Sequence, residues 1–170
     1  MIKHYKGEIG EFDFNDKIFE LRRVEDKDTG YEVDRLYYIK PVSDGPIYGS
    51  KIHIPDGIKS CKEMFIGCTM LQDFPKIPYG VVNCDWMFSG CLMAKGNVVI
   101  PNSVISCNYM FNKCVSLDKY PVIPPTVMEN ENMFRFCMGK MPIKEKDIEL
   151  EYNEDEYEED MEEVEDLIYE

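Results

Sequence analysis

At 170 residues, with 44% hydrophobic and 12% aromatic side chains, the chain has material for one hydrophobic core and lacks the composition of a disordered protein. Its formal charge of -14 argues against direct nucleic-acid binding, which needs clustered Lys and Arg on the phosphates. Seven cysteines, an odd number without a CxxC pair, suggest neither a disulfide framework nor a zinc ribbon, and two histidines give little material for a histidine-based metal or catalytic site.

The opening MIKHYKGEIGEF carries charges where a signal peptide needs an uninterrupted apolar stretch. No window approaches the ~20 apolar residues of a membrane span, so a cytoplasmic location is expected. Alternation of apolar and polar residues predicts strands at 18–24 and 31–39, preceded by one around Gly10 to Phe14. Asp26-Lys27-Asp28-Thr29-Gly30 between the first two reads as a hairpin turn. It resembles the opening of a calcium loop, but the twelfth position is Tyr37 where a bidentate Glu is required. Residues 1–50 are thus expected to form an antiparallel β cap.

From residue 51 to 146 the sequence repeats. Ile-Pro recurs at Ile54-Pro55, Ile77-Pro78, Ile100-Pro101 and Ile123-Pro124, in steps of 23 residues. Met-Phe keeps the same step at Met64-Phe65, Met87-Phe88, Met110-Phe111 and Met133-Phe134. Cysteines form two further series, Cys61, Cys84 and Cys107, and Cys68, Cys91, Cys114 and Cys137. Counting each Ile as position one, the apolar residues at positions 8, 11, 12, 15 and 18 have the spacing of a short helical stripe, and the preceding proline-broken segments read as extended. A 23-residue unit cannot bury such a stripe alone, whereas stacked units cover one another's faces. The expected class is therefore α+β: a short leucine-rich-repeat-like solenoid of four 23-residue repeats, with an N-terminal β-hairpin cap and a C-terminal acidic helix. The Phe series is its expected interior ladder, and the cysteines its small buried hydrophobes.

Ile54-Pro55, Ile58, Phe65, Cys68 and Leu71, and their equivalents in the following units, resemble the BspA-like leucine-rich repeats over about residues 54 to 143. Met before Phe, Ala94 and Lys140 in place of Leu, and Asn130 in place of the first cysteine depart from that pattern. The resemblance implies a repeat fold and protein binding, at bacterial surfaces or in mobile-element proteins.

Residues 147–170 hold 14 acids and no Lys or Arg, whereas the preceding 146 residues balance 19 acids against 19 bases. Leu150, Tyr157, Met161, Val164 and Ile168 place an apolar stripe on this block, which predicts an acidic amphipathic helix that needs a surface to fold against.

No Gly-rich phosphate loop, Gly-x-Ser-x-Gly elbow or His-Glu-x-x-His motif occurs, and no cofactor or metal is expected. The candidate partner-binding residues are Trp86 and Tyr109, at position ten of adjacent repeats, together with the tail residues Glu154, Asp155, Glu156, Tyr157, Glu158, Glu159, Asp160, Met161, Glu162, Glu163 and Val164. Aromatic residues of this kind are enriched in binding hot spots, and carboxylates fixed in space can stand where a duplex presents phosphates. The expected function is a non-enzymatic protein-binding module that blocks a basic, nucleic-acid-handling surface such as a nuclease, in the manner of a phage or mobile-element inhibitor, including an anti-CRISPR. The alternative from the same sequence is a structural or adhesion-type repeat protein whose acidic tail keeps it in solution.

Overall fold

In a computed structural model that describes residues 1–43 and 45–139, the N-terminal segment folds into two antiparallel hairpins. Strands β1 (Ile2–Gly7) and β2 (Gly10–Asn15) pair from Ile2↔Asn15 to Gly7↔Gly10. Strands β3 (Phe19–Glu25) and β4 (Glu32–Tyr38) pair from Phe19↔Tyr38 to Glu25↔Glu32. β2 alternates as sequence periodicity requires, burying Phe12 and Phe14 while Glu11 faces solvent. β1 escapes such a reading because Tyr5 is its one buried residue. A short 3-10 turn at Gly49–Lys51 follows β5 (Ile47–Tyr48), which pairs parallel with β6 (Leu71–Asp73). Among the described residues no helix is long and apolar enough to cross a membrane.

The hairpins meet the first repeat at close range. Gly10 bridges Ile58, and the Lys59 N–H donates to Ile9 O at 2.8 Å. A side chain on Gly10 would run into the Gly57 carbonyl, and one on Gly57 into the Glu11 carbonyl. Both residues have positive φ, so the crossing requires glycine twice over.

The expected α+β solenoid of the leucine-rich-repeat kind is overturned: the described residues contain no α-helix, and their regular structure is three two-stranded sheets. Hydrogen-bond direction explains the correction. A helix sends each N–H back along its own chain to the fourth preceding carbonyl. Here the N–H groups of Cys61, Glu63, Phe65 and Gly67 leave their own repeat and donate to Asn83, Asp85, Met87 and Ser89 at 2.7–3.0 Å. The alternating amides close four-residue turns, Met64 N–H to Cys61 O, Ile66 N–H to Glu63 O and Cys68 N–H to Phe65 O, each at 3.1 Å. Positive φ at Glu63 (61°) and Gly67 (67°) punctuates the run, a conformation that an α-helix never takes. The same scheme joins Cys84, Trp86, Phe88 and Gly90 to the third repeat, and Cys107, Tyr109, Phe111 and Lys113 to the fourth. The apolar spacing that mimics a helical stripe therefore belongs to a chain of turns, in which some amides bond within the repeat and others across to the next. The acidic helix expected over 147–170 lies outside the described residues.

One apolar core runs from the hairpins through the repeats. Phe65, Phe88 and Phe111 are fully buried and stack at centroid distances of 5.6 and 5.7 Å, with Phe134 following at 5.7 Å and half-buried. Tyr38 of β4 extends the ring stack to Phe65 at 5.2 Å.

All seven cysteines are buried and unbridged. Three of them also bond across repeats: the thiols of Cys91, Cys114 and Cys137 donate to the carbonyls of Phe65, Phe88 and Phe111 at 3.2, 3.1 and 2.9 Å. Burial pushes Cys68 up to about 11 and Cys107 and Cys137 up to about 12, and raises the remaining four as well. Because the thiolate is the reactive form, the native protein is expected to react with a thiol reagent at pH 8 only as fast as it opens, and to yield all seven thiols in denaturant. Several fast-reacting native thiols would contradict this burial.

Candidate functional site

Position ten of each repeat takes a left-handed backbone, with φ of 61° at Glu63, 58° at Trp86, 55° at Tyr109 and 49° at Asn132. Glycine would adopt this conformation most easily, and a bulky side chain pays about 1–2 kcal/mol for it. Yet no repeat carries glycine there, whereas Gly67 and Gly90 occupy the second left-handed position of the first two repeats. The consequence is a row of large and polar side chains turned out of the turn run. Trp86 and Tyr109 are neighbours in this row and lie face to face, with ring centroids 4.1 Å apart and planes 3° apart. Both are half-buried. The Tyr109 hydroxyl accepts from Asn132 Nδ2 at 2.9 Å, which ties the pair to the fourth repeat.

Two further rows flank the aromatic pair. Position seven presents Ser60, Asn83, Ser106 and Glu129, joined by parallel bridges. Position nine presents Lys62, Asp85, Asn108 and Glu131. With the β3–β4 loop these rows enclose an open hollow of about 570 Å³, whose wall includes Trp86 and Tyr109.

At the hairpin end of the hollow the charges are paired. Asp26 Oδ1 accepts from the backbone N–H groups of Asp28 (2.9 Å) and Thr29 (3.2 Å), which shapes the β3–β4 loop. Its other oxygen accepts from Arg35 at 2.7 Å and from Lys62 Nζ at 2.9 Å. Lys62 also donates to Asp28 at 2.9 Å, and Arg35 pairs with Glu63 at 2.7 Å. Burial opposes the charge on Asp26, yet the Lys62 bond and the loop amides outweigh it and hold the carboxyl at about 2.

The middle and far end of the hollow are different. Asp85, only 7% exposed, accepts from Ser106 Oγ at 2.5 Å and from the Asn108 N–H at 2.8 Å, both on Oδ1. Burial raises its carboxyl above the ordinary range, against the lowering effect of those two bonds and of the Lys62 charge. Glu129 Oε2 lies 3.3 Å from Ser106 Oγ and accepts from Asn108 Nδ2 at 3.3 Å. Among the described residues no cation comes within ion-pairing distance of Asp85, Glu129 or Glu131. Nor does any group of three or more His, Cys, Asp or Glu among them have the arrangement of a metal cage.

The structure thus brings together two of the residues singled out in the sequence, Trp86 and Tyr109, while Glu154 to Val164 lie outside the described residues. Asp26, Lys62, Asp85, Glu129 and Glu131 were not legible as site residues, because only the cross-repeat bonds place them around one hollow. Position-nine and position-seven comparison across repeats is the signal that would have found the last four. No family model, curated protein or solved structure matches the chain.

Proposed function

We propose that the chain is a non-enzymatic binding module whose partner is a protein with a basic surface. The observation that carries this reading is the half-buried Trp86–Tyr109 pair, set at the edge of a hollow in which no cation among the described residues reaches ion-pairing distance of Asp85, Glu129 or Glu131. Aromatic side chains of limited flexibility offer large contact area at low entropic cost, and uncompensated carboxylates select for positive charge. The 14 acids of residues 147–170 act in the same direction, adding long-range attraction to a basic surface. A nucleic-acid-handling protein, whose own ligand is a polyanion, is the partner class that such charge suits, and occupation of its basic surface would inhibit it.

Affinity capture with the full chain, compared with a chain ending at Lys146, tests the reading. A nucleic-acid-binding protein held more weakly by the shorter chain is the expected outcome. With that partner in hand, removal of the acidic block should slow association and flatten its dependence on salt, since exposed charges are screened beyond about 10 Å at 0.1 M. A partner without a basic surface, or an affinity indifferent to salt in both chains, would count against it.

A further inference from the structure

The hollow has a polarity along its length. Lys62 at one end is paired with Asp26 and Asp28, and it also attracts Asp85 without reaching ion-pairing distance. Beyond it lie the aromatic pair and three carboxylates without an ion pair, Asp85 on the second repeat and Glu129 and Glu131 on the fourth. Asp85 is the informative one. It is nine-tenths buried, both bonds that it accepts fall on Oδ1, and Oδ2 takes none of them. A buried carboxylate without a direct ion pair is costly, and a cation brought into contact with it regains Coulomb energy in surroundings that screen poorly.

Chemistry and spacing select the cation. The carboxylates lie on the second and fourth repeats and form no metal cage among the described residues, which suits charges carried on a chain better than a single ion. Strands in a ladder lie about 4.8 Å apart, so Asp85 and Glu131, two repeats apart, are separated by about 10 Å. An extended peptide advances about 3.3 Å per residue, and spans that distance in three residues. A guanidinium adds a flat, weakly hydrated face that stacks on aromatic rings and donates through a fork to a carboxylate, which an ammonium does not.

We propose that this face binds an extended basic segment of the partner: one arginine lies against Trp86 and Tyr109 and pairs with Asp85, and a second basic side chain three residues away pairs with Glu129 and Glu131. This rests on the protein-binding reading above and names the chemistry that it recognises.

The chain contains a single tryptophan, Trp86, so the site carries its own reporter. The experiment titrates the full chain with an eight-residue peptide bearing two arginines three residues apart, and follows Trp86 emission and the anisotropy of a dye on the peptide. Saturable changes in both are expected, stronger for arginine than for lysine, and absent when the arginines are replaced by glutamine. Asp85→Asn keeps an acceptor for Ser106 and Asn108 and should weaken binding at least about 30-fold, the loss typical of truncating one side of a desolvated charge pair. The Glu129→Gln, Glu131→Gln double variant alters exposed side chains, leaves folding intact by circular dichroism, and should weaken binding about 3- to 10-fold at low salt. The inference is overturned if the peptide does not bind. It is equally overturned if the peptide binds without moving Trp86 emission, or binds all variants as it binds the wild type. Those last outcomes would locate the basic ligand elsewhere on the chain and leave the wider reading to the capture experiment.

Discussion

Phe88→Ala is expected to lower the free energy of unfolding by about 3–5 kcal/mol, measured by denaturant melts of the full chain. The side chain is fully buried between Phe65 at 5.6 Å and Phe111 at 5.7 Å, with Phe74 meeting it edge-on at 5.0 Å. Its removal loses ring contacts on three sides, and its neighbours cannot collapse into the space, because their backbones are spaced by the cross-repeat bonds at Phe65, Trp86 and Phe88. Phe111→Ala should cost a similar amount. Phe134→Ala supplies the contrast: this ring is half-buried and stacks on Phe111 and Tyr120, so a smaller loss is expected. Losses under about 1 kcal/mol at both Phe88 and Phe111 would mean that the ring stack does not carry the fold.

Asp26→Ala is the second large effect, with about 3–5 kcal/mol expected, because it strands two buried cations, Arg35 and Lys62, and releases the β3–β4 loop amides at once. Each cation keeps one other partner, Glu63 and Asp28, so the lower end of the range is the better guide. Asp28→Ala removes a carboxylate that is 71% exposed and should cost less than about 1 kcal/mol. The two variants differ in burial and in the bonds that they lose, although both contact Lys62. The same network sets an acid limit. The Asp26 carboxyl is held at about 2 in the folded chain against 3.8 ordinarily, so the unfolded state binds protons first as pH falls. Its contribution is complete above pH 4 and lost as pH falls toward 2. Asp85 works in the opposite sense: its raised carboxyl favours the folded chain least when ionised, so Asp85→Asn should remove the part of the stability that declines as pH rises through its titration.

How far the sequence discloses this molecule depends on which residues bond locally. The β3–β4 hairpin is readable because both the alternation of its strands and the Asp26 turn are local features, and the Phe and Cys series are readable because identical environments recur at a fixed period. The helical reading of each repeat fails for the same reason that makes the fold hold together. Cys61, Glu63, Phe65 and Gly67 send their amides to another repeat, and no local pattern distinguishes that from bonding along the chain. Left-handed backbone at Trp86 and Tyr109 was equally hidden, since neither residue type announces it. Of the site, the aromatic pair is legible through its shared position in the repeat. Asp26 and Lys62 are 36 residues apart, and Asp85 takes its bonds from Ser106 and Asn108 of the next repeat, so their roles arise only once hairpin and repeats are laid against one another.

The most direct test of the account is oxidative footprinting of the full chain, alone and in complex with its captured partner. Trp86 and Tyr109 are half-buried and open to the hollow in the free chain. Their modification should fall sharply in the complex, while Tyr79 and Met128, which are highly exposed and outside the hollow, should be modified as before. Unchanged modification of Trp86 and Tyr109 in a saturated complex would contradict the assignment of this face to partner binding.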